Sequence, residues 1–81
     1  MANDERPDPR EVVGENVRRL RQLRGWTQER LAHEAGKHRT YVGGVERAER
    51  NTTIEALFDI AYALDVDPRE LLRPRDEFEY P

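Results

Sequence analysis

Residues 27–53, TQERLAHEAGKHRTYVGGVERAERNTT, hold two short helical patterns that meet at Ala35-Gly36. Thr27 is a residue type suited to capping a helix start, and Leu31, Ala32 and Ala35 follow at helical spacing. Gly36 fits the left-handed position that closes such a helix. A second pattern covers residues 39–47, with Val42 and Val45 turned inward. Two short helices joined at a glycine turn form a helix-turn-helix.

The flanking segments read as support for this element. Asp8-Pro9-Arg10-Glu11 is a helix start, with Asp8 as cap and Pro9 in the first helical position. Helix 1 then runs to Arg24, with Val13, Val17 and Leu20 on one face, and Gly25 ends it. Trp26 follows directly and is expected to pack under the next turn. Thr52-Thr53-Ile54-Glu55 reads as a capping box that opens helix 4. Its inward face is expected to be Ile54, Leu57, Ile60, Ala61 and Leu64. Asp67-Pro68-Arg69-Glu70 opens a short helix 5 carrying Leu71 and Leu72, and Pro74 stops it. No stretch alternates apolar and polar residues for long enough to be a strand. The expected fold is all-α, a compact five-helix bundle over residues 8–73. A polar N-terminal arm (1–7) and a polar C-terminal tail (74–81) with Phe78 and Tyr80 flank it.

Charge is unevenly placed. Residues 1–15 hold two Arg against five acids (−3), residues 16–50 nine basic residues against four acids (+5), and residues 51–81 three Arg against eight acids (−5). The net −3 argues against unselective coating of nucleic acid, yet the basic charge sits where the motif lies. A phosphate backbone would attract that middle and repel both flanks, which favours one docking orientation. The absence of Cys excludes a disulfide framework, a thiolate metal site and a thiol nucleophile. His33 and His38 are five apart and do not share a helical face, so no metal site and no cofactor is expected. The N-terminus has no apolar run of the signal-peptide kind, and the expected location is the cytoplasm.

The string RTYVGGVERAERNTTIEAL at residues 39–57, together with the two-helix motif, resembles the Cro/CI-like helix-turn-helix regulators of bacteria and phages. Within them it is most similar to the controller proteins of restriction–modification systems, which carry a similar Arg-Thr-Tyr, Gly, Glu-Arg and Arg-Asn. The resemblance covers residues 11–73. It implies a lambda-repressor-like DNA-binding domain that works as a homodimer on double-stranded DNA, with a near-palindromic operator. For a controller protein it also implies RNA polymerase as a partner. The DNA-binding positions it implies are Thr27, Gln28, His38, Arg39, Thr40, Tyr41, Gly43, Arg50 and Asn51. Gln28 would bond a phosphate and brace the recognition helix. Arg39 would read a guanine, and Arg50 and Asn51 would touch backbone or an adjacent base edge. Arg21 and Glu46 match a buried ion pair that ties helix 1 to helix 3.

Elementary chemistry is compatible with these roles. The planar fork of Arg matches guanine O6 and N7, a contact worth roughly 1–3 kcal/mol of discrimination. Thr can meet a thymine methyl or a phosphate. Tyr41 has two readings, a reader at the groove or a ring packed inside with only its hydroxyl showing. Arg47 reads as a surface cation. This sequence also departs from the family pattern. His38 is a poor helix cap, and Lys37 replaces a commonly apolar turn residue. Gly43-Gly44 costs helix propensity of roughly 1 kcal/mol per Gly relative to Ala. Ala48 stands where Gly is frequent and leaves the turn after helix 3 open. The alternative to a transcription regulator is a protein–protein module or antitoxin on the same fold. An enzyme would need a catalytic constellation, and none is seen in the sequence.

Overall fold

The structure is a computed structural model that describes residues 6–75. Among these residues there are four α-helices and no strand: α1 (Pro9–Leu23), α2 (Gln28–Ala35), α3 (Arg39–Glu46) and α4 (Ile54–Leu64). A single 3-10 turn, Pro68–Leu71, follows. The expected fifth helix is therefore only this turn. Pro68 starts it, and Pro74 lies too close to allow further propagation. Phe78 and Tyr80 lie outside the described residues.

Three of the four helix starts are built by a side chain. Asp8 accepts from the Arg10 amide at 2.9 Å, with Pro9 directly after it. Thr27 Oγ1 accepts from the Arg30 amide at 3.0 Å. At α4 the cap is Thr53, not Thr52, and its hydroxyl accepts from the Ala56 amide at 3.0 Å. His38 makes no side-chain cap bond, in line with its poor capping chemistry.

All four helices end alike. A residue with positive φ follows, and two backbone N–H groups reach back to the last turn. Gly25 (φ 71), Gly36 (φ 70), Ala48 (φ 64) and Asp65 (φ 60) take that position. At α1 the Trp26 amide bonds the Arg21 carbonyl, and at α3 the Glu49 amide bonds the Gly44 carbonyl. Two of the four closures thus put an L side chain in the left-handed region, which costs roughly 1 kcal/mol or more.

The core lies where α1, α2, α3 and α4 converge, with Leu31, Ile60, Leu64, Leu71, Val17 and Val42 fully enclosed. Burial of each such side chain stabilises the fold by about 1.5–3 kcal/mol. Gly14 lets α1 and α3 meet backbone to backbone: a Cβ there would lie 3.0 Å from the Glu46 carbonyl oxygen and closer still to that of Val45. Trp26 packs partly buried against the core, and the guanidinium groups of Arg24 and Arg30 each lie 4.7 Å from its ring centre. Arg24 also donates to the Leu64 carbonyl at the end of α4, at 3.1 Å. The Lys37 ammonium pairs with Asp59 of α4 at 3.1 Å.

One apolar expectation needs correction. Ile54 is 77 % exposed, and Leu72 is 55 % exposed as well. The buried stripe of α4 starts at Ala56 and Leu57. Ile54 sits one turn earlier, past the edge of the core, and aligns at four-residue spacing with Phe58 and Tyr62 on a second, outward apolar face. Phe58 and Tyr62 touch edge to face, with ring centres 5.8 Å apart. Leu71 takes the core position of the 3-10 turn and turns Leu72 outward.

Candidate nucleic-acid interface

The rear of α3 is fixed by one carboxylate. The Glu46 side chain is 1 % exposed and that of Arg21 is 11 % exposed. Arg21 donates through Nε to Oε2 at 2.7 Å and through Nη2 to Oε1 at 3.0 Å, a two-pronged pairing. Its third nitrogen, Nη1, donates to the Trp26 carbonyl at 2.8 Å. Gln28 Nε2 adds a bond to Glu46 Oε1 at 2.9 Å, and Arg18 stands 3.9 Å from the same oxygen. The hydrogen bonds to Glu46 raise the Arg21 pKa, against an opposing pull from burial. One carboxylate therefore gathers α1, the start of α2 and the end of α3. Glu46 turns inward because Val42, Val45 and Glu46 share one face of α3.

The solvent edge of α3 is basic and open. His38, Arg39 and Thr40 are exposed on its first turn. Arg39 Nε lies 3.6 Å from Glu29 Oε2, and both side chains are well solvated. Such a pair is worth little, so Arg39 is free to leave it for another acceptor. Tyr41 is half-buried against the core, and the Arg50 guanidinium lies 5.3 Å from its ring centre. Arg50 and Asn51 are exposed just past the helix. Thr27 is exposed as well, but its hydroxyl already accepts the cap bond of α2.

Of the residues singled out in the sequence, Arg39, Thr40, Tyr41 and Arg50 come together around α3. Gln28 is tied to the end of α3 through its bond to Glu46. Gly43 is buried, and a Cβ there would lie 3.0 Å from Arg47 Nη1 and 3.5 Å from Gln28 Oε1. Arg47, read as a surface cation, thus belongs to the same edge, and its four-residue spacing from Gly43 is the signal that could have placed it. The missed structural residue is Asn16, which is buried in α1. Its Nδ2 donates to the carbonyls of Leu71 at 3.0 Å and Arg73 at 2.8 Å, holding the 3-10 turn against α1. Its signal was a polar residue on the Val13–Val17 face.

A helix-turn-helix family model matches residues 17–71. The chain belongs to that family of DNA-binding regulators. It is 46 % identical over 65 residues to the control protein C.SmaI of Serratia marcescens, covering 80 % of this chain and 77 % of that one. It is 39 % identical over 62 residues to the control protein C.BamHI of Bacillus amyloliquefaciens, covering 75 % and 76 %. Among solved structures, the restriction-modification controller protein C.AhdI from Aeromonas hydrophila superposes with a TM-score of 0.75 at 45 % identity, over 76 % of this chain and 94 % of that one. A hypothetical transcription factor from Neisseria superposes with a TM-score of 0.83 at 41 % identity, over 88 % and 82 %. The likeness to controller proteins thus holds in sequence and in fold. No helix among the described residues of this family member is long and apolar enough to cross a membrane.

Proposed function

We propose that this chain is a sequence-specific transcription regulator that binds double-stranded DNA as a homodimer, with the role of a restriction–modification controller protein in the cytoplasm. The observation that carries the reading is that α3 is anchored at its end and open at its start. Its last residue, Glu46, is pinned, and its first turn offers Arg39 and Thr40 to solvent, the part of a recognition helix that meets base edges. Arg39 reads a guanine and Thr40 a thymine methyl or a phosphate. Arg50 and Asn51 follow the sugar-phosphate backbone where the chain leaves the groove. One such helix spans too few base pairs for a selective site, so two copies related by a two-fold axis are needed. The outward apolar face of Ile54, Phe58, Tyr62 and Leu72 supports self-association, because a patch of this kind is costly to leave in water. The operator is then a near-palindrome with half-sites about one helical turn apart. As a controller, the dimer would also touch RNA polymerase.

The test is selection of bound duplexes from a random pool, followed by titration of the selected site with wild type and Arg39→Ala over a range of salt. A symmetric site is expected, with preference relaxed at one G·C pair per half-site in the variant and a loss of about 1–3 kcal/mol. A pool that shows no enrichment would sink the DNA-reading proposal and favour a protein-binding module on the same fold.

A further inference from the structure

We propose that Gly44 is a positioning residue for Arg50: its bare α-carbon seats the Arg50 stem and so holds the guanidinium over Tyr41 before DNA arrives. The inference rests on the DNA reading proposed above and assigns a part to a glycine that reads nothing itself. A Cβ built on Gly44 would stand 2.9 Å from Arg50 Cγ, 3.0 Å from Nε and 3.4 Å from Cδ. Those atoms run from the middle of the side chain to its head, so a methyl group at position 44 displaces the whole arm. The guanidinium at the end of that arm lies 5.3 Å from the Tyr41 ring centre, within cation–π reach. The chain path allows the return because Ala48, with φ 64, turns the segment after α3 back toward the helix.

The glycine has no use in forming α3. Gly in a helix interior is worse than Ala, and neither the core nor a left-handed turn requires it here, since only Gly25 and Gly36 among the glycines take positive φ. What it contributes is room on the outer edge. Gly43 does the same for Arg47, whose Nη1 would lie 3.0 Å from a Cβ there. The adjacent glycines therefore form two seats, each covered by an arginine from beyond or near the end of the helix. A free arginine samples many rotamers and loses that freedom on binding. An arginine already laid along Gly44 and stacked on Tyr41 has lost much of it in the free protein, so it meets DNA preorganised.

The test has one arm without DNA and one with it. In the free protein, the ring current of Tyr41 should shift the Arg50 side-chain δ protons upfield in the NMR spectrum. Gly44→Ala should remove that shift while thermal unfolding stays at least as high as wild type, because Ala favours the helix. Retention of the shift in Gly44→Ala would overturn the seat, whatever DNA does. In the second arm, Gly44→Ala should weaken binding to the selected duplex roughly tenfold in the wild-type background and not at all in an Arg50→Ala background. Equal loss in both backgrounds would overturn the inference in favour of direct backbone approach to DNA. Loss of the shift with no change in DNA affinity for Arg50→Ala itself would keep the seat and overturn the part given to Arg50 in DNA binding.

Discussion

Arg21 and Glu46 form a two-pronged ion pair, 2.7 and 3.0 Å, between α1 and the last residue of α3. With Gln28 also donating to Glu46, the carboxylate is fully engaged by partners whose own charge or dipole depends on it. Removing one partner strands the other in a poorly hydrated place. Glu46→Ala is expected to lower stability by about 3 kcal/mol. Arg21→Met combined with Glu46→Leu should recover a good part of that loss, because an apolar pair leaves no orphaned charge. Denaturant unfolding followed by the fluorescence of Trp26 measures both. An unchanged midpoint in Glu46→Ala would show that the pair contributes nothing.

Asn16 is expected to act as a tether. Asn16→Ala deletes the donor to the Leu71 and Arg73 carbonyls and leaves both in a partly dry setting. The cost should be about 1–3 kcal/mol. Because the bonds hold only the 3-10 turn, amide exchange should quicken first at Glu70 and Leu72, before the α2 and α3 amides change. Uniform acceleration across the chain would instead make Asn16 part of the central core.

At Ala48, φ is 64, so an L side chain occupies a region that suits glycine. Ala48→Gly should raise stability by about 1 kcal/mol, which for a domain of this size lifts the melting temperature by about 4–8 °C. Ala48→Val should lower it. A calorimetric series over the three residues tests the order Gly, Ala, Val.

Legibility in the sequence divides along physical lines. Periodicity placed Val13, Val17, Leu57 and Leu64 correctly, because each belongs to a stripe that has only one neighbouring mass to face. The Arg21–Glu46 pair was legible through the family resemblance and not through spacing. Ile54 was misread for a different reason. Periodicity tells which apolar residues share a helix face but not where along the helix the core stops, and Ile54 lies past that edge. The cap at Thr53 was ambiguous because two adjacent threonines have the same capping chemistry. The Arg50–Tyr41 stack was invisible, since it depends on the turn at Ala48, and alanine carries no signal for positive φ.

The outward face of α4 makes the oligomeric state accessible to a single change. Phe58→Asp places a charge at the middle of the Ile54, Phe58, Tyr62 series without touching the buried stripe. For a dimer paired through this face, as proposed, sedimentation equilibrium should report the mass of one chain for the variant and of two for wild type. Helix content should be unchanged. A dimeric Phe58→Asp protein would locate the seam elsewhere.

Asp67 sets an acid limit on the last turn. Its carboxylate accepts from Arg69 Nη2 at 2.8 Å, Arg69 Nε at 3.1 Å and the Arg69 amide at 2.9 Å. These bonds, the side-chain ones first, hold its pKa down at about 2 against an ordinary 3.8. A folded pKa below the unfolded one stabilises the protein above the unfolded value, and that contribution fades as pH falls through the folded one. The difference in melting temperature between wild type and Asp67→Asn should therefore be constant near neutral pH and close between about pH 4 and 2. A difference that persists to the lowest pH would mean that the carboxylate charge plays no part.

The backbone contact at Gly14 has a mechanical consequence. Where side chains separate two helices, compression is absorbed by rotamer changes. Between α1 and α3 the Gly14 α-carbon rests directly against the carbonyls of Val45 and Glu46, and no deformable layer lies between them. A duplex that presses on the front of α3 therefore meets a stiff support. Under the proposed docking, a misfit in groove width at this support would fall on the nucleic acid, and sites would be sorted in part by their shape.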